Sequence, residues 1–482
     1  MSLDTLPKVL THMGYAIRKD SLTAENIKEI RKALTVAPKI MNGRRFAAEA
    51  EPFSLYVESA SRLYLPRVWA HDTLGTPDAS ILVEGQALRK ELNFGGKPYE
   101  YQQAIVNTFL AAGSNGLICV PCGRGKTFMA IQIAHTIGKK FMIVVDKEFL
   151  LNQWRGELEA LLPGIRIGIL QENKKQIGPE YDCTIAMIQT LVQRPFAETD
   201  FRPFGFTVFD ECHHLGASQF SRALLKVQTK HMLGLSATPV RDDGLTKVFE
   251  WFLGNPVHWE KTREADPDVI VRRVDFDCDD PAYTEVPTDR MGEMVLARLL
   301  TQVVDCEERN EKIDEILRQL VVDKRRRILV LSERKSHLER LASRLPTETT
   351  FGYYIGGMKE DIREEGAKKA QVLFGTYAMA SEAMNIKSLN AMIMASPRKK
   401  IEQSTGRILR VRKDEREVQP LIIDIVDSHD VYQNQWLKRR AYYRKCAYKI
   451  EGDTKTDQKK DKPISAIPDT KQCLIQNDSD SD

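Results

Sequence analysis

Two short clusters in this chain carry the residue types that phosphate chemistry needs. Pro121-Cys122-Gly123-Arg124-Gly125-Lys126-Thr127 sets two glycines, a lysine and a hydroxyl side by side. Asp210-Glu211-Cys212-His213 lies about eighty residues further on and sets two carboxylates before an imidazole. Gly123 and Gly125 let the backbone turn tightly and aim successive N–H groups at phosphate oxygens, while Lys126 adds charge opposite the β- and γ-phosphates. The Thr127 hydroxyl and the Asp210 carboxylate are suited to Mg²⁺, and Glu211 to orienting and deprotonating an attacking water. Either cluster alone is ordinary. In this order they predict hydrolysis of a nucleoside triphosphate, with ATP and Mg²⁺ as the implied ligands.

Such chemistry needs a strand before each cluster and a helix after the first. Leu117 to Val120 is apolar and precedes the glycines; the helix opened by Lys126 would bury Met129, Ile133 and Ile137. Phe206 to Phe209 ends at Asp210, so both carboxylates fall at the carboxyl end of a strand, the ligand crevice of an open α/β sheet. Phe141–Val145, Thr184–Met187 and Met232–Leu235 are further short apolar runs. Separated by helix-length segments, they fit strands buried on both faces of a parallel sheet. A second series follows a charged stretch from Glu260 to Asp280: Ile328–Leu331, Phe351–Tyr354, Gln371–Phe374, Ala391–Met394 and Leu421–Asp424. It carries no phosphate loop of its own. Gln403-Ser404-Thr405-Gly406-Arg407-Ile408-Leu409-Arg410 belongs to that second lobe, and on a helix Arg407 and Arg410 share a face. Such a pair is either a solvated basic surface or two guanidinium groups aimed at the γ-phosphate.

The expected fold is therefore α/β: two tandem lobes with parallel sheets, preceded by a small N-terminal α+β domain and followed by a disordered C-terminal tail. The boundaries are 1–95 for the N-terminal domain, 96–258 for the first lobe, 259–450 for the linker and second lobe, and 451–482 for the tail. Within the first segment, Thr23 opens a helix running to Leu34, and Ser54–Val57 and Ile81–Val83 look strand-like. The tail ends Asn477-Asp478-Ser479-Asp480-Ser481-Asp482 and lacks apolar periodicity.

Composition narrows the classes. The chain has 482 residues, of which 42% are hydrophobic and 29% charged, with a net charge of +4. Those values are those of a soluble globular protein, and any grip on nucleic acid must come from a local basic surface. No apolar run approaches membrane-spanning length and the N-terminus lacks a signal-peptide pattern, so an intracellular, soluble protein without a membrane partner is expected. The eight cysteines are scattered, which suits reduced thiols. A metal site from Cys212, His213 and His214 is disfavoured, because neighbours on an extended chain point to opposite sides.

Read in order, residues 97 to 430 resemble a superfamily 2 helicase. Tyr101-Gln102 resembles the adenine-reading glutamine element. Pro121–Thr127 matches motif I, which in this family dispenses with the glycine missing at Val120. Asp210–His213 matches motif II in its Asp-Glu-x-His form, and Ser236-Ala237-Thr238-Pro239 matches motif III. Gly375-Thr376 to Ile386 resembles motif V, with Asn385 where aspartate is commoner, and Gln403–Arg410 matches motif VI. The resemblance implies two RecA-like lobes. It implies a nucleotide site of Gln102, Gly123, Arg124, Gly125, Lys126, Thr127 and Gln403, and Arg407 and Arg410 as arginine fingers. It also implies coupling through His213, Ser236 and Thr238. Leu150-Leu151-Asn152-Gln153-Trp154 and Arg241-Asp242-Asp243 are similar to the XPB-like branch, with Asp242 in place of glutamate. The stretches around Phe209–His214 and Leu245–Trp251 are similar to helicases of large nucleocytoplasmic DNA viruses and, more distantly, to poxvirus transcript-release helicases.

What that branch implies is ATP-driven tracking along DNA, single-stranded or duplex, in transcription or repair. RNA polymerase or other transcription proteins are then implied partners, and a virion or host cytoplasm is the implied setting. Gln189, Thr190, Arg241 and Thr376 are the nucleic-acid contacts carried over by resemblance. Two other classes stay open: an ATP-switched remodeller of a transcription complex that unwinds nothing, and an RNA helicase. The segment Trp436-Leu437-Lys438-Arg439-Arg440 with Tyr442, Tyr443, Arg444 and Lys445 interleaves bases and aromatics. It reads equally as a nucleic-acid surface or as a helix packed on the second lobe.

Overall fold

The computed structural model describes residues 6–38, 51–216, 221–237, 240–241, 243–260, 265–382, 384, 386–409, 411 and 413–452. The expected disordered tail falls outside the described residues from 453 onward, as do Thr238, Asp242, Asn385 and Arg410, and the side chain of Gln403.

Apolar runs too short for helices form the centre of each lobe. In the first, the strand order is Lys174–Lys175, Ile167–Gln171, Cys183–Met187, Phe141–Val145, Phe206–Phe209, His231–Ser236, Asn115–Cys119 and Pro256–Trp259. All neighbours are parallel except the first pair, which is antiparallel. Successive side chains on a strand point to opposite faces. Accordingly Leu117, Met142 and Val144 enter one buried cluster, while Ile118, Ile143 and Val145 enter the other. The second lobe repeats the design: Phe351–Tyr354, Val372–Thr376, Ile328–Ser332, Ala391–Met394, Leu421–Asp427, Ile270–Phe276 and Lys449–Glu451, all parallel. Leu329 and Leu331 face one cluster, Ile328 and Val330 the other.

The charged stretch before the second lobe hides a strand that the sequence pattern does not announce. Ile270–Phe276 pairs in full with Leu421–Asp427. Only Val271 and Phe276 in it are buried, and Arg272, Arg273 and Asp275 break the apolar run. Two other expectations are corrected. Ile81 to Val83 is not a strand; the ladder is made by Ala79–Ser80, and Ile81 and Val83 are exposed. The α-helix beginning at Glu402 ends at Thr405 and continues as a 3₁₀ turn over Gly406–Ile408, so Arg407 sits on that turn and not on an α-helix; the expected pairing with Arg410 lies outside the described residues.

The N-terminal residues form a sheet of Val57–Glu58, Arg62–Leu65, Gly14–Arg18, Lys8–Thr11 and Ala79–Ser80, with the helices Ala24–Ala33 and Arg67–Leu74. Thr23 caps the first helix, accepting from the Asn26 N–H, while Asn26 reaches back to the Thr23 N–H. This unit shares one core with the first lobe: Tyr15, Ile17, Leu63 and Leu65 pack in the same cluster as Leu117 and Phe249. Arg67 is buried and keys into the lobe through the carbonyls of Phe252 and Thr229 and the Asn115 side chain.

Among the described residues, no helix is long and apolar enough to cross a membrane. The C-terminal helix Asp430–Lys445 resolves the two readings of its basic and aromatic residues. Trp436, Arg439, Arg440 and Tyr443 are buried, and Arg439 forks onto Asp424 at 2.9 and 2.7 Å, with the Tyr443 hydroxyl donating to the same carboxylate at 2.8 Å. For these four the packing reading holds. Lys438, Arg444 and Lys445 remain exposed.

Candidate active site

Gly123 and Gly125 adopt φ of +87° and +79°, which only glycine takes readily, and the helix Lys126–Ile137 starts at the next residue. A Cβ at Gly125 would collide with the Gln102 amide. That amide braces the loop: its oxygen accepts from the Tyr99 N–H at 3.0 Å and its nitrogen donates to the Arg124 carbonyl at 3.2 Å. Gln102 thus supports the loop, and its amide keeps a second N–H and a second acceptor lone pair beyond these two bonds. Arg124 is likewise committed, stacking 3.8 Å over the Tyr101 ring and pairing with Glu260 at 3.0 and 3.1 Å.

The second cluster meets the first because the strands carrying them lie in one sheet. Asp210 and Glu211 leave the end of Phe206–Phe209, and Glu211 has φ of +42°, unusual for a residue with a side chain. The Lys126 ammonium sits 3.5 Å from one Glu211 oxygen. The other Glu211 oxygen is buried and accepts no hydrogen bond among the described residues; the nearest imidazole, His213, stands 3.4 Å away. Asp210 is fixed at both oxygens, by the Trp154 indole N–H at 2.8 Å and the Glu211 N–H at 3.0 Å.

Burial dominates the electrostatics. It pushes the Asp210 carboxyl up to about 6, reinforced by the Glu211 charge beside it. For Glu211, burial works against ionisation but is outweighed by the positive surroundings, Lys126 first and His214 and Arg407 with it, which hold it below the usual carboxylate range. Burial also opposes the Lys126 charge, and Glu211, Cys122 and Asp210 together more than compensate, raising that ammonium above its ordinary value. Two adjacent carboxylates facing one lysine leave negative charge uncompensated, which a divalent cation relieves. The donor set fits Mg²⁺: the Asp210 carboxylate and the hydroxyl of Thr127, the residue after Lys126, are hard oxygen ligands, and Mg²⁺ takes few protein ligands beside phosphates and water. No group of three His, Cys, Asp or Glu side chains among the described residues is placed to hold a metal by itself.

The two histidines of the motif part company. His213 Nδ1 is 3.0 Å from the Ser236 hydroxyl, and burial pushes its imidazole down to about 4, so it is neutral. His214 instead reaches Asp146 at 2.7 Å. Arg241 donates to the His213 carbonyl and pairs with Asp243, its Nε 2.9 Å from that carboxylate. The guanidinium thereby clamps the turn after Glu211 to the segment after Ser236. Thr190 is also buried, its hydroxyl accepting from the Glu172 N–H at 3.0 Å, so its side chain is not a surface contact. Gln189 donates to the Asp146 carbonyl at 2.7 Å. Thr376 is half-buried at the end of its strand, opposite Ser332.

From the second lobe, Arg407 is 6% exposed and donates to the Met384 carbonyl at 2.7 Å. Its charge acts on both Lys126 and Glu211, so the structure brings it to the same cleft. Motif spacing missed Trp154, Asp146 and Glu260. Only Trp154 left a signal, as a lone aromatic in an otherwise aliphatic helix face, since a buried indole must find an acceptor.

A phosphate loop and a carboxylate pair on one parallel sheet, with an arginine supplied by a second, define a two-lobed nucleotide hydrolase. Comparison with known proteins refines the class. The family described as type III restriction enzyme, res subunit, matches residues 95–241. A protein of Acanthamoeba polyphaga mimivirus, named as an ATP-dependent RNA helicase, is 32% identical over 92% of this chain and 86% of its own length. An African swine fever virus protein of the same designation is 26% identical over 73% of this chain and 74% of its own. A Halobacterium salinarum protein named as the DNA 3'-5' helicase Rad25 is 34% identical over 43% of this chain and 35% of its own. The chain belongs to the superfamily 2 helicases and resembles those of large nucleocytoplasmic DNA viruses, and it is an ATP-dependent enzyme of that kind.

Proposed function

We propose that this protein is an ATP- and Mg²⁺-dependent motor on DNA, single-stranded or duplex, working in transcription or repair. The observation that carries the reading is the Lys126–Glu211 pair buried beside Asp210 with Arg407 of the other lobe acting on it. Lys126 meets the β- and γ-phosphates of ATP; Glu211, kept ionised, orients the attacking water and takes its proton; Arg407, with Arg410, stabilises charge that develops on the transferred phosphoryl group. Thr127 and Asp210 would hold Mg²⁺, which would supply charge neutralisation at the triphosphate. His213, bonded to Ser236, joins the hydrolytic turn to the segment that leads toward Thr238 and Arg241. Closure of the lobes on ATP and their release after hydrolysis would move the second lobe along the strand.

DNA is favoured over RNA by the Leu150–Trp154 and Arg241–Asp243 features that resemble the XPB-like branch. RNA polymerase or another transcription protein remains the proposed protein partner. The test is steady-state ATP turnover alone, then with single-stranded DNA, duplex DNA and RNA, with Glu211→Gln as control. Strong stimulation by DNA that disappears in the control is expected. Stimulation by RNA alone transfers the motor to RNA, and indifference to every polymer replaces it with a protein-remodelling switch.

A further inference from the structure

Beside the hydrolytic turn lies an ion pair that the proposed mechanism does not use. His214 Nδ1–H donates to Asp146 Oδ2 at 2.7 Å, and the Asp146 carbonyl accepts from Gln189 at 2.7 Å. His214 also donates its backbone N–H to the Glu211 carbonyl at 2.9 Å. Three hydrogen bonds therefore run from the backbone of Glu211, already in a strained conformation, to the first turn of the helix Ile188–Gln193. We propose that the Asp146–His214 pair is a positioning link. It carries occupancy of the nucleic-acid face, through Gln189, to the attitude of the Glu211 carboxylate. The proposal rests on the motor reading above and deepens it.

Strand register builds the link. Phe209 lies opposite Val144, and Met187 opposite Val145, so three parallel strands end together and present Asp210, Asp146 and Ile188 in a row. A change at the start of that helix meets Asp146 directly, and Asp146 meets His214. The link is held at single points. Asp146 Oδ1 and Gln189 Oε1 are both buried and accept no hydrogen bond among the described residues. Buried acceptors normally find donors, so a second arrangement of the joint that satisfies them is within reach. Burial opposes charge on both partners. Even so, Asp146 is held below the usual carboxylate range by His214, and His214 above its ordinary value by Asp146. The groups facing His214 are Asp146 and Lys147 from the loop after Phe141–Val145, and Glu211 from its own turn, with the His213 ring 4.3 Å away. Neutral His213 and charged His214 thus divide the motif, one arm toward Ser236 and the other toward Gln189.

The test uses the full chain with His214→Ala, His214→Gln and Asp146→Asn. Turnover is measured with and without the polymer that stimulates the wild type, and polymer affinity by fluorescence anisotropy. Affinity should stay within about twofold and basal turnover should fall by severalfold at most, while the ratio of stimulated to basal turnover falls by about tenfold in His214→Ala, a usual size for coupling between sites. His214→Gln, which keeps a donor without charge, should recover part of it. Wild-type stimulation should decline as pH rises through the His214 titration, and His214→Gln should show no such decline. Unchanged stimulation in His214→Ala overturns the link. So does a proportional fall of basal and stimulated rates, which would mean mere support of Glu211. If His214→Ala does not fold, the near-isosteric His214→Gln and Asp146→Asn carry the same comparison. A wild type that no polymer stimulates overturns the motor itself, a result seen before any substitution is made.

Discussion

Replacing Trp154 by phenylalanine isolates one hydrogen bond at the heart of the site. The indole is 1% exposed and packs with Leu150, Leu151 and Leu158 of its helix, so a benzyl ring keeps most of the apolar contact. What disappears is the 2.8 Å donor to Asp210 Oδ2. A hydrogen bond to a charged group contributes about 1.5–3 kcal/mol, and its loss leaves a buried carboxylate oxygen without a donor. If that energy serves to orient Asp210 toward Mg²⁺, turnover at fixed Mg²⁺ falls roughly ten- to hundredfold, since about 1.4 kcal/mol is one decade in rate. The assay is ATP turnover across a Mg²⁺ titration. It is paired with a melting curve with and without Mg²⁺-nucleotide, which reads binding independently of rate. The expected signature is a higher Mg²⁺ half-saturation and a smaller nucleotide-induced shift in melting, with the half-saturating ATP concentration little changed. A variant with wild-type Mg²⁺ half-saturation and turnover within about twofold refutes the reasoning, because an intact fold would then be working without the bond.

Arg407→Ala should cut ATP turnover by about a hundredfold or more while nucleotide affinity moves by severalfold at most, as for a group that acts on the transition state. Arg407→Lys should restore little, since a point charge does not reproduce the guanidinium fork, and an effect confined to affinity would demote Arg407 to a binding residue. In the second lobe, His337 lies between Ser332 at 3.0 Å and Asn310 at 2.8 Å, and burial pushes its imidazole down to about 3. The unfolded chain therefore takes up the proton first, so stability falls as pH drops below the ordinary imidazole value and keeps falling toward about 3. At pH 5 the loss relative to pH 8 is about 2 kcal/mol from this residue. Urea midpoints for wild type and His337→Asn at the two pH values check it. Equal pH dependence in both would show that the proton goes elsewhere.

The phosphate loop and the carboxylate pair were legible because each is local: its residues are neighbours in sequence and its strand is a continuous apolar run. The same holds for the sheets, whose central strands are buried on both faces and so read as unbroken hydrophobic segments. What escaped is whatever depends on register. Asp146 is ordinary in sequence and reaches His214 only because Phe209 pairs with Val144. Ile270–Phe276 escaped because Arg272 on one face and Asp275 on the other interrupt its apolar run, and its partner, Leu421–Asp427, lies far along the chain. Arg241 shows the same dependence. Its place after the third motif suggested a nucleic-acid contact, and the fold adds local partners for the guanidinium, Asp243 two residues on and the His213 carbonyl.

The same register bears on how the lobes communicate. The chain leaves the first sheet at Glu260, whose N–H donates to the Cys119 carbonyl at 2.8 Å and whose carboxylate holds Arg124 of the phosphate loop. Arg124 is braced in turn by the Tyr101 ring, while its carbonyl accepts from Gln102. Any rearrangement of the loop that moves Arg124 must either drag Glu260 with it or break a forked ion pair that is four-fifths buried on both sides. Meanwhile the N-terminal sheet is joined to the first lobe by a common core and the buried Arg67, so it follows that lobe and adds no joint of its own. Among the described residues, Arg407 across the cleft and Glu260 at the end of the first sheet are two places where, on the proposed mechanism, a bound nucleotide acts on the second lobe. The first would respond to charge on the phosphates and the second to the shape of the loop that holds them. A motor that must distinguish bound ATP from its products needs both, because hydrolysis changes the charge before release changes the shape.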